Sequence, residues 1–224
     1  MVWSKRILWG FMTVGAVLVA GNGLLILSGD VAFPFLDDLL AQQPMAAYAY
    51  LIGGSVALLL GAIQFSRILR SRWLDLHIAF GWLYFVGVLI GGVGCLYMAV
   101  TTQSGLIAQF GFTMLGVLWL VTAVPSLVAV FSDDITTHRR WIIRNYSLTY
   151  AAVTMRVYMG MLEGYGVDPT EAYQLVAWLC WVPNLVLAEW LFIPRGARTA
   201  VYDLSPAALR RDTLKPMKNK VAAA

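Results

Sequence analysis

The sequence predicts an all-α integral membrane bundle of six transmembrane helices, both termini cytoplasmic, and three observations carry that reading. Apolar residues make up 60% of the chain and charged residues only 12%, far from a soluble composition. Six runs have the length of a membrane span: Ile7 to Leu27, Tyr48 to Ile68, His77 to Val100, Leu106 to Phe131, Trp141 to Met161 and Tyr173 to Ile193. A span needs about 20 mostly apolar residues, and the fifth run, though more polar, is of similar length. The charges then alternate. Lys5 and Arg6 precede the first run, Arg67, Arg70 and Arg72 join the second to the third, and Arg139, Arg140 and Arg144 open the fifth. Arg195, Arg198, Arg210, Arg211, Lys215, Lys218 and Lys220 follow the sixth. The other connections carry Asp30, Asp37, Asp38, Glu163, Asp168 and Glu171 and no Lys or Arg, and Arg156 alone breaks the pattern. The positive-inside rule places the basic side in the cytoplasm.

At 224 residues the chain is one bundle, residues 1–193, followed by a hydrophilic tail, residues 194–224. The net charge of +4 anchors the chain against anionic headgroups and does not suggest nucleic acid. Lys5 and Arg6 ahead of an apolar run with Ala20 and Gly21 mimic a signal peptide, but the run is long for a signal's core, so a retained first helix is expected. Cys95 and Cys180 both fall inside spans, toward the outer leaflet. No CxxCH and no CxxC is present, which argues against c-type haem and against a zinc or thioredoxin-like site. The two thiols are read as inert and buried, a disulfide between them being the alternative.

The connection Ser28 to Ala47 is the longest, and its Phe33-Pro34-Phe35-Leu36 stretch suggests an amphipathic segment on the outer surface. The remaining connections are short, so consecutive helices are expected to be antiparallel neighbours. In the tail, Ser205-Pro206 is a helix-start pair ahead of one short helix, Ala207 to Leu214. Gly53, Ala57 and Gly61 recur at four-residue spacing, as do Gly87 and Gly91. Such stripes let helix backbones approach closely, within the bundle or across a homodimer or partner subunit. Trp3, Trp9, Trp73, Trp82, Trp141 and Trp190 near span ends fit interfacial belts.

The fifth run carries the chemistry. His138, Asn145, Thr149 and Arg156 are spaced by seven, four and seven, which puts them on one helix face and predicts a polar crevice inside the bundle. At ~1.5 Å per residue, Arg144 lies about 9 Å in from His138, and Arg156 about 27 Å along, near the outer boundary, where Glu163 or the outer headgroups are its expected partners. The sixth run answers with Asn184 near mid-membrane and Glu189 nearer the cytoplasm. Pro183 interrupts its hydrogen bonding. Glu189, the only acid well inside a span, is expected to pair with Arg144. Both a structural ion pair and a functional group fit, since intramembrane charges are costly and often functional.

The chain has two histidines. His77 opens the third helix and His138 the fifth, and these helices run in the same direction. One imidazole from each, at one depth, is what a bis-imidazole haem b needs, with Arg139, Arg140 and Arg144 available to its propionates. The alternative is that each His hydrogen-bonds headgroups or helix ends. Gln64 belongs to the same layer. Gln64, His77, His138, Arg139, Arg140, Arg144, Asn145, Asn184 and Glu189 are the candidate site residues, for a haem, a quinone ring or an anionic head group. The same residues also fit a solvated rim.

Three stretches carry a resemblance: GAIQFSRILRSRWLDLHIAFGWLYF (Gly61 to Phe85), HRRWIIRNYSLTYAAVTMRVYM (His138 to Met159) and WVPNLVLAEWLF (Trp181 to Phe192), with FGFTMLGVLWLVTAV (Phe110 to Val124) between them. Over roughly Tyr48 to Ile193 the chain resembles a bacterial multi-helix membrane family catalogued as domain of unknown function 2306. The resemblance implies a multi-helix protein of the bacterial inner membrane and no established activity. It singles out Gln64, Leu76-His77, Gly81, His138-Arg139-Arg140, Arg144, Asn145, Asn184 and Glu189 as recurrent polar-site positions. The chain departs from the pattern at Ile78, where family members often carry Arg or Lys, and at Tyr48 and Tyr50, where they often carry a His.

Three functions follow as expectations. The first is a redox or ligand-binding protein holding haem b or a quinone-like molecule in electron transfer, with His77 and His138 on the haem iron and Glu189 relaying protons. The second is an accessory subunit of a larger membrane complex of respiratory or photosynthetic type, without chemistry of its own. The third is a small transporter or lipid-binding protein, weakened by the lack of an inverted repeat. No hydrolase nucleophile motif, phosphate-binding glycine loop or HExxH is present, so a soluble-type active site is not expected.

Overall fold

The computed structural model describes residues 2–28 and 40–193. The amphipathic segment expected around Phe33 and the tail helix expected at Ala207 to Leu214 lie outside the described residues. The chain is an all-α membrane bundle, with helices α1 (Val2–Ser28), α2 (Pro44–Gln64), α3 (Arg67–Arg72), α4 (Leu74–Thr101), α5 (Leu106–Phe131), α6 (Ile135–Thr149), α7 (Ala151–Gly164), α8 (Pro169–Leu179) and α9 (Val182–Leu187). A π-helical turn, Ala188–Phe192, continues α9. Five segments are long and apolar enough to cross a membrane, in α1, α2, α4, α5 and Pro169–Phe192. The α6–α7 pair forms the sixth. The arginine-bearing connections mark a basic end, and Glu163, Asp168 and Glu171 mark an acidic end.

Two expected spans are built in pieces. Between α6 and α7 the chain makes a turn at Tyr150, where the Thr149 hydroxyl donates back to the Asn145 carbonyl at 3.1 Å, an arrangement that bends helices. The sixth span breaks after Leu179 because Pro183 has no N–H for the Leu179 carbonyl, and its ring crowds that carbonyl. The neighbouring Cys180 carbonyl accepts from the Thr154 hydroxyl at 2.5 Å and from Asn184 Nδ2 at 2.9 Å. The polar groups around the proline break thus bond one another.

Backbone contact holds the centre. A Cβ placed on Gly53 would lie 2.5 Å from the Gly91 nitrogen and 2.7 Å from the Gly87 carbonyl, and one on Gly94 would lie 2.6 Å from the Ala46 carbonyl. Only glycine allows α2 and α4 to touch in this way. Gly61 faces the Tyr146 ring, which a Cβ at that position would strike. Both glycine stripes are therefore occupied inside the chain. Cys95 and Cys180 are free and buried.

Candidate functional site

The polar side chains of the bundle form two layers, and the same spacing generates both. On α4, His77 and Tyr84 are seven apart; on α5, Trp119 and Ser126; on α6, His138 and Asn145. Seven residues are close to two helical turns, ~10 Å along the axis. Because α5 runs opposite to α4 and α6, Ser126 joins the histidines toward the basic end, and Trp119 joins Tyr84 and Asn145 deeper in.

The deeper layer is closed. Asn145 is 0% exposed. Its Nδ2 donates to the Trp119 carbonyl at 2.6 Å and to Thr122 Oγ1 at 2.8 Å, while its Oδ1 accepts from the Tyr84 hydroxyl at 2.5 Å. The Thr149 hydroxyl lies 3.0 Å from the Tyr84 hydroxyl and accepts from Trp119 Nε1 at 2.9 Å. Asn145 and Thr149 were expected to line a crevice. They instead tie α4, α5 and α6 together, because three hydrogen-bonding partners meet at each of them and leave no room for a ligand.

The outer layer is built by a turn. Asp133 adopts φ 54°, a left-handed conformation that aspartate tolerates. The carboxylate of Asp134 caps α6 by accepting from the Thr137 N–H at 2.9 Å. This reverses the chain and sets His138 beside Ser126. His138 Nδ1 is 2.9 Å from the Ser126 carbonyl and 3.2 Å from its hydroxyl. A carbonyl only accepts, so Nδ1 carries the N–H in this bond.

Across the layer, Gln64 Nε2 donates to the His77 carbonyl at 2.8 Å and Arg70 donates to the Gln64 carbonyl at 3.0 Å. His77 lies within Coulombic reach of Arg70 and His138, and Arg70 within reach of Arg139 and Arg67. Partial burial, then the charges of Arg139 and Arg67, pull the Arg70 guanidinium below its ordinary pKa. His77 Nδ1 and Gln64 Oε1 are buried with no hydrogen-bond partner. Buried polar atoms of that kind are rare and call for an explanation.

Arg144, Glu189 and Asn184 are committed to partners of their own. Arg144 forms the expected pair with Glu189, Nε to Oε1 and Nη2 to Oε2 at 3.0 Å, and its guanidinium sits 4.7 Å from the Trp141 ring centroid. Both carboxylate oxygens are thereby engaged. Asn184 Nδ2 bonds Thr154 Oγ1 at 3.0 Å and the Ser147 carbonyl at 3.3 Å, besides Cys180. Arg139 is exposed and Arg140 half-buried on the first turns of α6. Among the described residues no group of three or more His, Cys, Asp or Glu could hold a metal ion, so any metal here would rest on the two imidazoles.

Sequence reasoning missed Arg70, Ser126, Tyr84 and Trp119. The repeated spacing of seven on three helices is the signal that finds the last three. Arg70 is found by its reach to the end of α2, whose last carbonyls lack helical partners.

No curated protein and no solved structure matches the chain. The family model described as "Predicted membrane protein (DUF2306)" matches residues 47–192, from the first turn of α2 through the π-helical turn. The chain belongs to that family.

Proposed function

We propose that this member of the DUF2306 membrane family is a redox protein that holds a haem b at its basic end. The basic end faces the cytoplasm by the positive-inside rule, with the bacterial inner membrane as the host. One observation carries the reading. The Nδ1–H of His138 is fixed on the Ser126 carbonyl, the outer-shell bond by which a metal-ligating histidine keeps its other nitrogen free and oriented. His77, whose ring Nδ1 is buried without a hydrogen-bond partner, would be the second histidine to hold the iron, its orphan nitrogen being chemistry that a metal satisfies. Arg70 and Arg139 would neutralise the propionates, with Arg140 adding charge from the same turn. Arg144 is held by Glu189 through both carboxylate oxygens, so it is not assigned to the haem. The haem would supply one-electron transfer, its potential set by these axial and charged neighbours.

A quinone-like ring is the second reading, favoured by Gln64 Oε1. This buried acceptor lacks a donor, and a quinol hydroxyl would supply one. The test is an optical spectrum of protein purified in mild detergent, oxidised and then reduced with dithionite. The expected result is a sharp Soret band with resolved reduced bands, lost in both H77A and H138A. A flat visible spectrum from folded protein overturns the haem. Quinone in the solvent extract of the same sample then selects the second reading. With neither present, the chain is left as an accessory subunit of a larger membrane complex.

A further inference from the structure

Arg156 is the one basic residue on the acidic side of the alternation, and the structure places it in a cavity. On α7 it lies eight residues, ~12 Å, before the helix end at Gly164. Among the described residues it forms no ion pair. Its Nη1 donates to the Ala152 carbonyl of its own helix at 2.8 Å. A guanidinium has five N–H donors, so that single bond leaves most of its fork uncommitted. An intramembrane arginine in this state calls for a counter-charge.

The surroundings are shaped to admit one. Helix α1 meets the α6–α7 junction at Gly15, where a Cβ would lie 2.7 Å from the Tyr150 hydroxyl and 3.1 Å from Val153. One and two turns farther along α1 come Val19 and Gly23, and within 4 Å a Cβ on Gly23 would meet only the Ser55 hydroxyl. Val19 and Gly23 line a cavity of about 20 Å³ together with Tyr50, Gly54, Ser55 and Arg156. That volume holds about one water-sized group. Tyr50 and Ser55, both hydroxyl-bearing, are among the lining residues, and the Ser55 hydroxyl lies 2.9 Å from where a Cβ on Gly23 would be. A Cβ on Gly54 would meet nothing within 4 Å, so the lining has room beside that residue.

We propose that Arg156, with the hydroxyls of Tyr50 and Ser55, binds one acid oxygen of an anionic phosphate group between α1, α2 and α7 at the acidic end. The cavity takes a single oxygen and leaves the rest of the group outside, which suits a membrane phospholipid entering sideways and equally a free phosphate. The site is independent of the haem reading, on the opposite side of the Asn145 layer.

The test is native mass spectrometry of the full chain in detergent, after incubation with phosphatidylglycerol, with phosphatidylcholine of matched acyl chains, or with inorganic phosphate alone. One retained phosphatidylglycerol per chain, in preference to phosphatidylcholine, assigns the lipid. Retained phosphate without lipid preference assigns the free ion. Loss of a charge-assisted bond predicts binding about tenfold weaker in R156Q, with R156K intermediate because it keeps the charge and loses the fork. G54L adds bulk to the cavity lining while Arg156 keeps its charge, and is expected to lose the adduct as well. It keeps the test decisive if R156Q does not fold. Equal retention by wild type, R156Q and G54L overturns the proposal, as does the absence of any adduct in the wild type.

Discussion

Helix α6 carries two polar groups seven residues apart that meet opposite fates. Asn145 gives its amide to Trp119 and Thr122 and its oxygen to Tyr84. Two turns away, His138 uses one nitrogen on Ser126, while beside it His77 Nδ1 and Gln64 Oε1 lie buried without partners. A satisfied buried network fixes a structure, and an unsatisfied one costs stability unless something else completes it. The difference separates polar residues that hold the bundle together from polar residues available to a ligand, although intramembrane position alone makes all of them look functional.

The largest effect is expected at the closed layer. N145L removes three hydrogen bonds and leaves the Trp119 carbonyl and Thr122 unpaired by Asn145, for a loss of about 2 kcal/mol, read as a fall in the thermal unfolding midpoint in detergent. A smaller effect tests whether the layer acts as a unit. In a double-mutant cycle, Y84F and N145A are expected to couple by about 1 kcal/mol, because the Tyr84 hydroxyl bridges Asn145 and Thr149. Strict additivity would mean that the layer is a set of separate contacts. The Arg144–Glu189 pair lies between the two cases, its side chains 22% and 41% exposed. E189Q is expected to cost at most about 1 kcal/mol of unfolding free energy, and a much larger loss would place the pair among the structural ties.

At the open layer the contrast should reverse. H77A deletes a buried orphan and is expected to change the unfolding midpoint by no more than about 0.5 kcal/mol equivalent, while abolishing the haem spectrum. A large destabilisation without change in the spectrum would erase the distinction between the layers. The smallest effect is at the cap that presents His138. The Asp134 carboxyl is held below its ordinary value of 3.8, chiefly by its bonds to Thr137. A depressed folded-state value means that this contribution is present above 3.8 and is lost as pH falls through the lower, folded value. Unfolding midpoints followed from neutral to acid pH should fall less steeply in D134A than in wild type, and identical slopes would remove the cap from the account.

The span count was legible because apolar runs and alternating charge are both long-range regularities, and an error in one would spoil the other. The Arg144–Glu189 pair was legible for a similar reason: an acid inside a span leaves few cations at its depth. What periodicity does not show is how a helix is interrupted. The turn at Tyr150 comes from Thr149 bonding back to its own helix. The α8–α9 break was foreseeable from Pro183, but not that Thr154 and Asn184 would take up the Cys180 carbonyl. Nor does a face of polar residues tell which of them meet partners. Asn145 and His138 are equivalent on one helix and differ only in what α4 and α5 place opposite them. The glycine stripes were ambiguous for the same reason, since the spacing that suits a dimer also suits α2 against α4.

The π-helical turn at Ala188–Phe192 acts as a phase shifter in the last span. The Ile193 N–H reaches back five residues to the Ala188 carbonyl at 3.1 Å, so the turn accommodates one residue more than an α-helix would. Each α-helical residue advances the azimuth by about 100°. That added residue lets one rod present Glu189 to Arg144 and still return Ile193, 9% exposed, to the interior. Removing a single codon, that of Leu191, would restore ordinary winding and force a choice between the two facings. The deletion would act as a misalignment of a shaft and not as the loss of a contact, and no side-chain substitution on α6 would compensate for it.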